Sequence, residues 1–139
     1  MRNKKTYEKG LNTMSINKKT REIVYLKYDG RCAYCGRHIL YKDMQVDHFI
    51  SKREAEAKHF SVDDISNLMP SCRMCNHYKR ANKLETFRSY IEQIPNKLLK
   101  DYIYRVGVTY GNIIPNAKPV KFYFEKFEEE NKNRNPPKE

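Results

Sequence analysis

The sequence contains no tryptophan, and it has no long apolar run. Only 39% of its 139 residues are apolar and 32% are charged, so the hydrophobic core is expected to be thin. This length fits one small domain with tails and makes a second catalytic domain unexpected. Because polar residues follow the basic amino terminus as far as Arg21, neither a signal peptide nor a membrane span is predicted. We therefore expect a cytoplasmic protein that makes no membrane contact.

Acidic residues are scarce relative to basic ones. The chain has 17 Asp and Glu residues against 28 Lys and Arg residues, which gives a formal charge of +11. Lys and Arg side chains release condensed counterions from phosphate backbones, so this balance favours nucleic acid over an acidic protein as the partner. The alternative is that the charge only keeps the protein soluble. Charge alone does not decide between the two.

The four cysteines form two C-x-x-C pairs, Cys32 with Cys35 and Cys72 with Cys75. In a reducing cytoplasm this spacing is typical of a tetrahedral zinc site rather than of disulfides. A closed site of four thiolates leaves no position for a substrate, so the zinc is expected to be structural. Redox-active dithiols, a cluster or two independent pairs are the alternatives.

The pattern of apolar residues and turn residues predicts a mixture of helices and short strands. We expect one helix over residues 17–30 that ends at Gly30 and another from residue 76 to about 94 that Pro95 stops. Residues 38–41 and 45–50 flank a turn and predict a β-hairpin, while residues 63–68 suggest a brief helical turn. A further helix is predicted over 98–106, and a strand, or alternatively a helix, over 120–127. The predicted organisation is a basic arm at 1–16, a core at 17–94, an extension at 95–127 and a disordered charged tail at 128–139.

Three short motifs lie in or beside the segment between the cysteine pairs: Asp47-His48, Asn67-Leu68 and Asn76-His77-Tyr78-Lys79. With these motifs, residues 31–87 resemble the HNH endonucleases, whose ββα-metal motif has a hairpin His, a loop Asn and a helix His or Asn. The resemblance implies an α+β fold, a small ββα-metal core stapled by a four-cysteine zinc site, with flanking helices. It also implies a DNA endonuclease that uses a single catalytic metal and leaves 5′-phosphate and 3′-hydroxyl ends. Compact relatives occur in phage, mobile elements and restriction systems.

The resemblance also implies a role for individual residues. His48 is similar to the general base and Asn67 to the residue that buttresses the hairpin loop. Asp47 and Asn76 are similar to the ligands of a catalytic Mg²⁺ or Mn²⁺ ion, and Cys32, Cys35, Cys72 and Cys75 match the zinc ligands. An imidazole that titrates near neutrality suits proton removal from water, and oxygen ligands suit a hard cation.

Helix and strand geometry limits which neighbouring residues can share this site. Asp47 and His48 point to opposite faces of a strand unless it bends. His77 projects about 100° from Asn76 on a helix, so we expect it to contact substrate or solvent rather than the ion. His38 and His59 are expected to be non-catalytic.

Basic residues near these motifs are candidate DNA contacts: Lys52, Arg53, Lys79, Arg80 and Lys83. The alternative is a solvated charged face. For the whole protein, the alternatives are a noncatalytic zinc-dependent DNA-binding module and, less favoured, a redox or metal sensor. A homodimer or a partner protein, the sequence specificity, and nicking versus double-strand cleavage are left open.

Overall fold

A computed structural model describes residues 16–137, so residues 1–15 of the predicted basic arm lie outside the described residues. The fold mixes helices with one two-stranded antiparallel sheet, which confirms the predicted α+β class. Within the described range, no helix is long and apolar enough to cross a bilayer. In chain order the elements are α1 (Lys18–Leu26), a 3-10 helix (Tyr41–Asp43), β1 (Gln45–His48), α2 (Lys52–Lys58), a second 3-10 helix (Ile65–Asn67), β2 (Leu68–Ser71), α3 (Arg73–Lys79), α4 (Leu84–Glu92), α5 (Ile94–Leu98), α6 (Tyr102–Thr109) and α7 (Tyr123–Arg134).

The sheet pairs β1 with β2, and His48 lies opposite Leu68. The predicted hairpin between residues 38–41 and 45–50 is therefore wrong. We call the C-x-x-C pair Cys32 and Cys35 the first knuckle, and the pair Cys72 and Cys75 the second knuckle. The backbone next to His38 folds onto the first knuckle instead, where Cys32 N–H donates to the Arg37 carbonyl at 2.9 Å. All four residues of β2 are buried, so pairing with this strand places β1 against the core. The segment between the strands, residues 49–67, returns the chain to the sheet beside the end of β1.

Side-chain caps set the beginnings of several helices. Asn17 accepts a hydrogen bond from Thr20 N–H at 2.8 Å and begins α1, which ends four residues before the predicted Gly30. Ser51 caps α2 in a stretch where the sequence predicted no regular element. Asp101 accepts from Tyr104 N–H at 2.9 Å, so α6 begins later than predicted. Each cap satisfies a backbone N–H that has no partner within its helix.

The predicted helix over residues 76–94 is two helices, α3 and α4. Arg80 has φ 53° and ψ −137°, a backbone conformation outside the helical region, and it ends α3. Pro95 does not stop a helix: it occupies the first turn of α5, where its missing N–H costs no hydrogen bond. Residues 80–83 therefore separate α3 from α4.

The C-terminal segment forms α7 rather than a strand, and the helix continues through Arg134 into the stretch predicted to be disordered. Phe122 N–H donates to the Glu125 carboxylate at 2.8 Å, which caps the helix. Phe124 N–H donates to the Ala33 carbonyl at 2.8 Å and so attaches the helix to the first knuckle. The alternation of apolar and polar residues that suggested a strand therefore has another cause: Phe122 and Phe124 are both buried at the start of a helix.

Aromatic rings form the centre of the core. Phe87 stacks on Phe122 with ring centroids 5.2 Å apart, and Tyr34 meets Phe87 edge-on at 5.5 Å. Such pairs add about 0.5–1.5 kcal/mol each beyond the area they bury. This cluster joins the first knuckle, α4 and the start of α7, and it holds Tyr34 beneath β1.

Candidate active site and metal centre

The four cysteines meet at one point, as their spacing predicted. Their sulfur atoms all lie within 4.8 Å of one another, and those of Cys35 and Cys72 are 3.8 Å apart. Zinc–sulfur bonds of about 2.3 Å in a tetrahedron place sulfur atoms about 3.8 Å apart. The cluster is therefore compatible with a structural zinc ion. Cys72 also caps α3 by accepting from Cys75 N–H at 3.5 Å, which ties the direction of that helix to the cluster.

The pKa values of the four thiols differ from one another when no cation balances their charge. A hydrogen bond from Cys75 lowers the pKa of Cys32 to about 4. The same hydrogen bond, followed by burial and by the negative charge of neighbouring sulfur, raises the pKa of Cys75. Four adjacent thiolates thus cannot all ionise without a cation. Binding of a divalent ion is expected to release protons and to stabilise the fold.

His48 ends β1 with its side chain 22% exposed. Its Nε2 atom lies 2.9 Å from Oδ1 of Asp63, and within the described part of the chain its Nδ1 atom has no hydrogen-bond partner. Sequence reasoning did not single out Asp63, because it lies in a polar stretch 15 residues further along the chain. Only the return of that stretch to the sheet could have indicated it.

Asp47 points to the opposite face of β1 and is 6% exposed, as strand alternation predicts. Its Oδ2 atom accepts the Tyr34 hydroxyl at 2.5 Å and lies 3.0 Å from the Lys79 ammonium. Burial and the negative charge of Asp47 raise the pKa of Tyr34, so its hydroxyl keeps its proton. The three side chains form a buried network beneath the strand.

Lys79 is 1% exposed, and this contradicts its predicted contact with DNA. Its ammonium also donates to the backbone carbonyl of His48 at 3.2 Å. Because Lys79 lies on α3, the ammonium connects the helix of the second knuckle to the end of β1. A phosphate cannot reach this ammonium without unpacking the core.

An open cleft of about 330 Å³ lies in front of His48. Lys83 does not line this cleft; its side chain is 76% exposed and its ammonium lies 3.8 Å from Glu54. Three of the predicted DNA contacts, all exposed, do line it. The lining residues are Asp47, His48, Ser51, Lys52, Arg53, Arg80 and Ala81.

Asn67 is buried beside the cleft and uses both ends of its amide. Its Oδ1 accepts from Ile50 N–H at 2.7 Å, and its Nδ2 donates to the carbonyls of Ile50 at 3.0 Å and Val62 at 2.8 Å. The side chain thus holds the backbone just after β1 and the backbone just before Asp63. The buttressing role that the resemblance implied for Asn67 stays a prediction.

Of the two predicted ligands of the catalytic ion, Asp47 lines the cleft and Asn76 is not among its lining residues. The Oδ1 atom of Asp47 accepts no hydrogen bond from the described residues, and the half-buried Asn76 side chain forms none with them. Carboxylate and amide oxygens are the kind of ligand that Mg²⁺ accepts, and the ion commonly keeps several waters. His77 lines a separate apolar groove with Met74 and Ile94, away from the cleft.

Comparison with known proteins identifies one family. Residues 32–82 match the family model described as HNH endonuclease, and this range contains both knuckles, both strands and α3. No curated protein and no solved structure gives a significant match to the chain. Proteins of the HNH family bind nucleic acid and are in general metal-dependent. The family that these comparisons show for residues 32–82 is therefore the HNH endonuclease family.

Proposed function

We propose that the protein is a DNA endonuclease that hydrolyses phosphodiester bonds with His48 as the general base. The observation that carries the proposal is the position of this imidazole, which lies at the wall of a basic cleft with Nε2 held by Asp63. Nδ1 is the nitrogen left to accept a proton from water. General-base catalysis of this kind contributes about 10²–10⁴-fold to a rate.

The proposed reaction is a direct displacement by water. His48 Nδ1 accepts one proton of the water, the water oxygen bonds to phosphorus, and the bond from phosphorus to the 3′ oxygen breaks. The departing oxygen takes a proton from solvent, which leaves a 5′-phosphate and a 3′-hydroxyl. Asp47 and Asn76 would hold a Mg²⁺ or Mn²⁺ ion, which when bound supplies positive charge for the phosphoryl oxygens.

Lys52, Arg53 and Arg80 are proposed to hold the DNA backbone across the cleft. All three are exposed and line the same opening as His48. Contacts from such side chains to phosphate set the position of the duplex without reading its sequence. The zinc cluster has no role in the chemistry and instead holds α3, and through it Lys79, against β1.

Plasmid cleavage tests the proposal. Wild type and His48→Ala are incubated with supercoiled plasmid in Mg²⁺, in Mn²⁺ or in EDTA under conditions that leave the zinc content unchanged. His38→Ala is the matched control, because His38 is exposed and lies outside the cleft. We expect cleavage by wild type and by the control, and loss of cleavage in His48→Ala and in EDTA. Equal cleavage by His48→Ala with unchanged zinc content and melting would contradict the proposed base.

A noncatalytic DNA-binding module is the second candidate, and one observation favours it. The Asp47 carboxylate is already paired with the Lys79 ammonium at 3.0 Å, which offsets the negative charge that a metal ion needs. This candidate predicts DNA binding that survives His48→Ala and no cleavage in any metal. The plasmid assay, together with a binding measurement, separates the two functions.

A further inference from the structure

We infer that Asp63 is a positioning residue that holds the His48 imidazole in the orientation and tautomer needed for proton transfer. The inference rests on the proposed function. Oδ1 of Asp63 lies 2.9 Å from Nε2 of His48, and the two side chains are 36% and 22% exposed. The contact is thus partly shielded from water at the wall of the cleft.

The backbone on both sides of this contact is fixed by Asn67. Its amide binds Ile50, two residues after His48, and Val62, which immediately precedes Asp63. Phe49 N–H also donates to the Asn67 carbonyl at 2.8 Å. The carboxylate and the imidazole are therefore brought together by backbone that is already held, so the contact needs little further ordering of the chain.

Asp64, the acidic residue next to Asp63, caps a helix and is not hydrogen-bonded to His48. Oδ1 of Asp64 accepts from the backbone N–H and the hydroxyl of Ser66, at 2.9 and 2.6 Å, and begins the second 3-10 helix. Among the described residues, the Asp63 side chain makes its one hydrogen bond with His48. The carboxylate of Asp63 is thus left to act on His48 as a hydrogen-bond acceptor.

A carboxylate on Nε2 selects one form of the neutral ring. It can only accept a hydrogen bond, so it favours the tautomer with the proton on Nε2 and the lone pair on Nδ1. The lone pair on Nδ1 is then the one available to take a proton from water. Without Asp63 the ring rotates more freely and samples both tautomers.

Cleavage kinetics give the first test. We expect Asp63→Ala to lower kcat about 10- to 100-fold with little change in KM, since the loss is bounded by the whole contribution of the base. Asp63→Asn keeps an oxygen acceptor and is expected to recover part of the rate. In the His48→Ala background, Asp63→Ala should cause no further loss, because it acts through the imidazole. Asp64→Asn, the matched neighbour, should cut at the wild-type rate.

Nitrogen NMR of the His48 ring gives a second readout that does not depend on cleavage. At alkaline pH, where the ring is neutral, we expect wild type to carry the proton on Nε2 and Asp63→Ala to show a mixture of tautomers. A proton on Nδ1 in wild type, or an unchanged tautomer in Asp63→Ala, overturns the inference. So does a drop in kcat for Asp63→Ala that persists undiminished without His48. If wild type does not cleave DNA at all, the nuclease proposal fails, and the tautomer result alone decides whether Asp63 holds the ring.

Discussion

Lys79 gives the sharpest prediction about stability. We predict that Lys79→Met lowers the free energy of unfolding by about 3–5 kcal/mol, the usual cost of removing one partner of a buried ion pair. The Asp47 carboxylate, 6% exposed, would retain the Tyr34 hydroxyl as its one remaining partner among the contacts described above. Methionine is unbranched and similar in length, so the loss reflects the missing charge rather than a cavity. For a domain of this size the expected drop in Tm is roughly 10–20 °C.

Urea unfolding of zinc-loaded protein, followed by circular dichroism, measures this effect. Lys83→Met is the matched control, because its side chain is 76% exposed and should change stability by less than about 0.5 kcal/mol. Adding Asp47→Asn to Lys79→Met removes the uncompensated charge and should restore part of the loss. The reasoning is refuted if Lys79→Met is as stable as the control, or if the second substitution makes the protein less stable still.

Three other predictions follow from the cluster, the cleft and the C-terminal helix. Cys72→Ser should lose zinc and unfold, because metal binding supplies folding energy; normal zinc content and melting would contradict this. Arg53→Ala should reduce the slope of log affinity for DNA against log salt by about 0.9, whereas a residue that makes no phosphate contact leaves the slope unchanged. The hydrogen bond from Arg88 lowers the pKa of Glu125, so this group stabilises the fold above its ordinary pKa and loses that effect as the pH falls through the lowered value. Glu125→Gln should therefore be less stable than wild type at neutral pH, with the difference shrinking in acid.

The four-cysteine cluster could be predicted from the sequence because its residues form two short local patterns. The spacing within each C-x-x-C pair lets two thiolates reach one ion, so two such pairs predict one four-cysteine site. Asp63 and Tyr34 carry no such pattern. Their roles depend on which residues face β1 after the chain has folded back.

The burial of Lys79 shows why the basic residues could not be sorted from the sequence. Lys79, Arg80 and Lys83 lie within one short stretch, and all three carry the same charge. Lys79 alone of these three is buried, against Asp47 of β1, whereas Arg80 and Lys83 are exposed. A helix assumed to run on to residue 94 hides this difference, since the break at Arg80 has no glycine or proline to indicate it.

The attachment of α7 to the first knuckle has a consequence for synthesis of the protein. Both cysteine pairs and all of the family match precede residue 83, but the hydrogen bond from Phe124 to Ala33 and the packing of Phe122 need residues made much later. At roughly 5–20 residues per second a ribosome needs about 2–8 s to add the stretch from 82 to 124. Until then the aromatic face beneath Tyr34 lacks the Phe122 ring that stacks on Phe87.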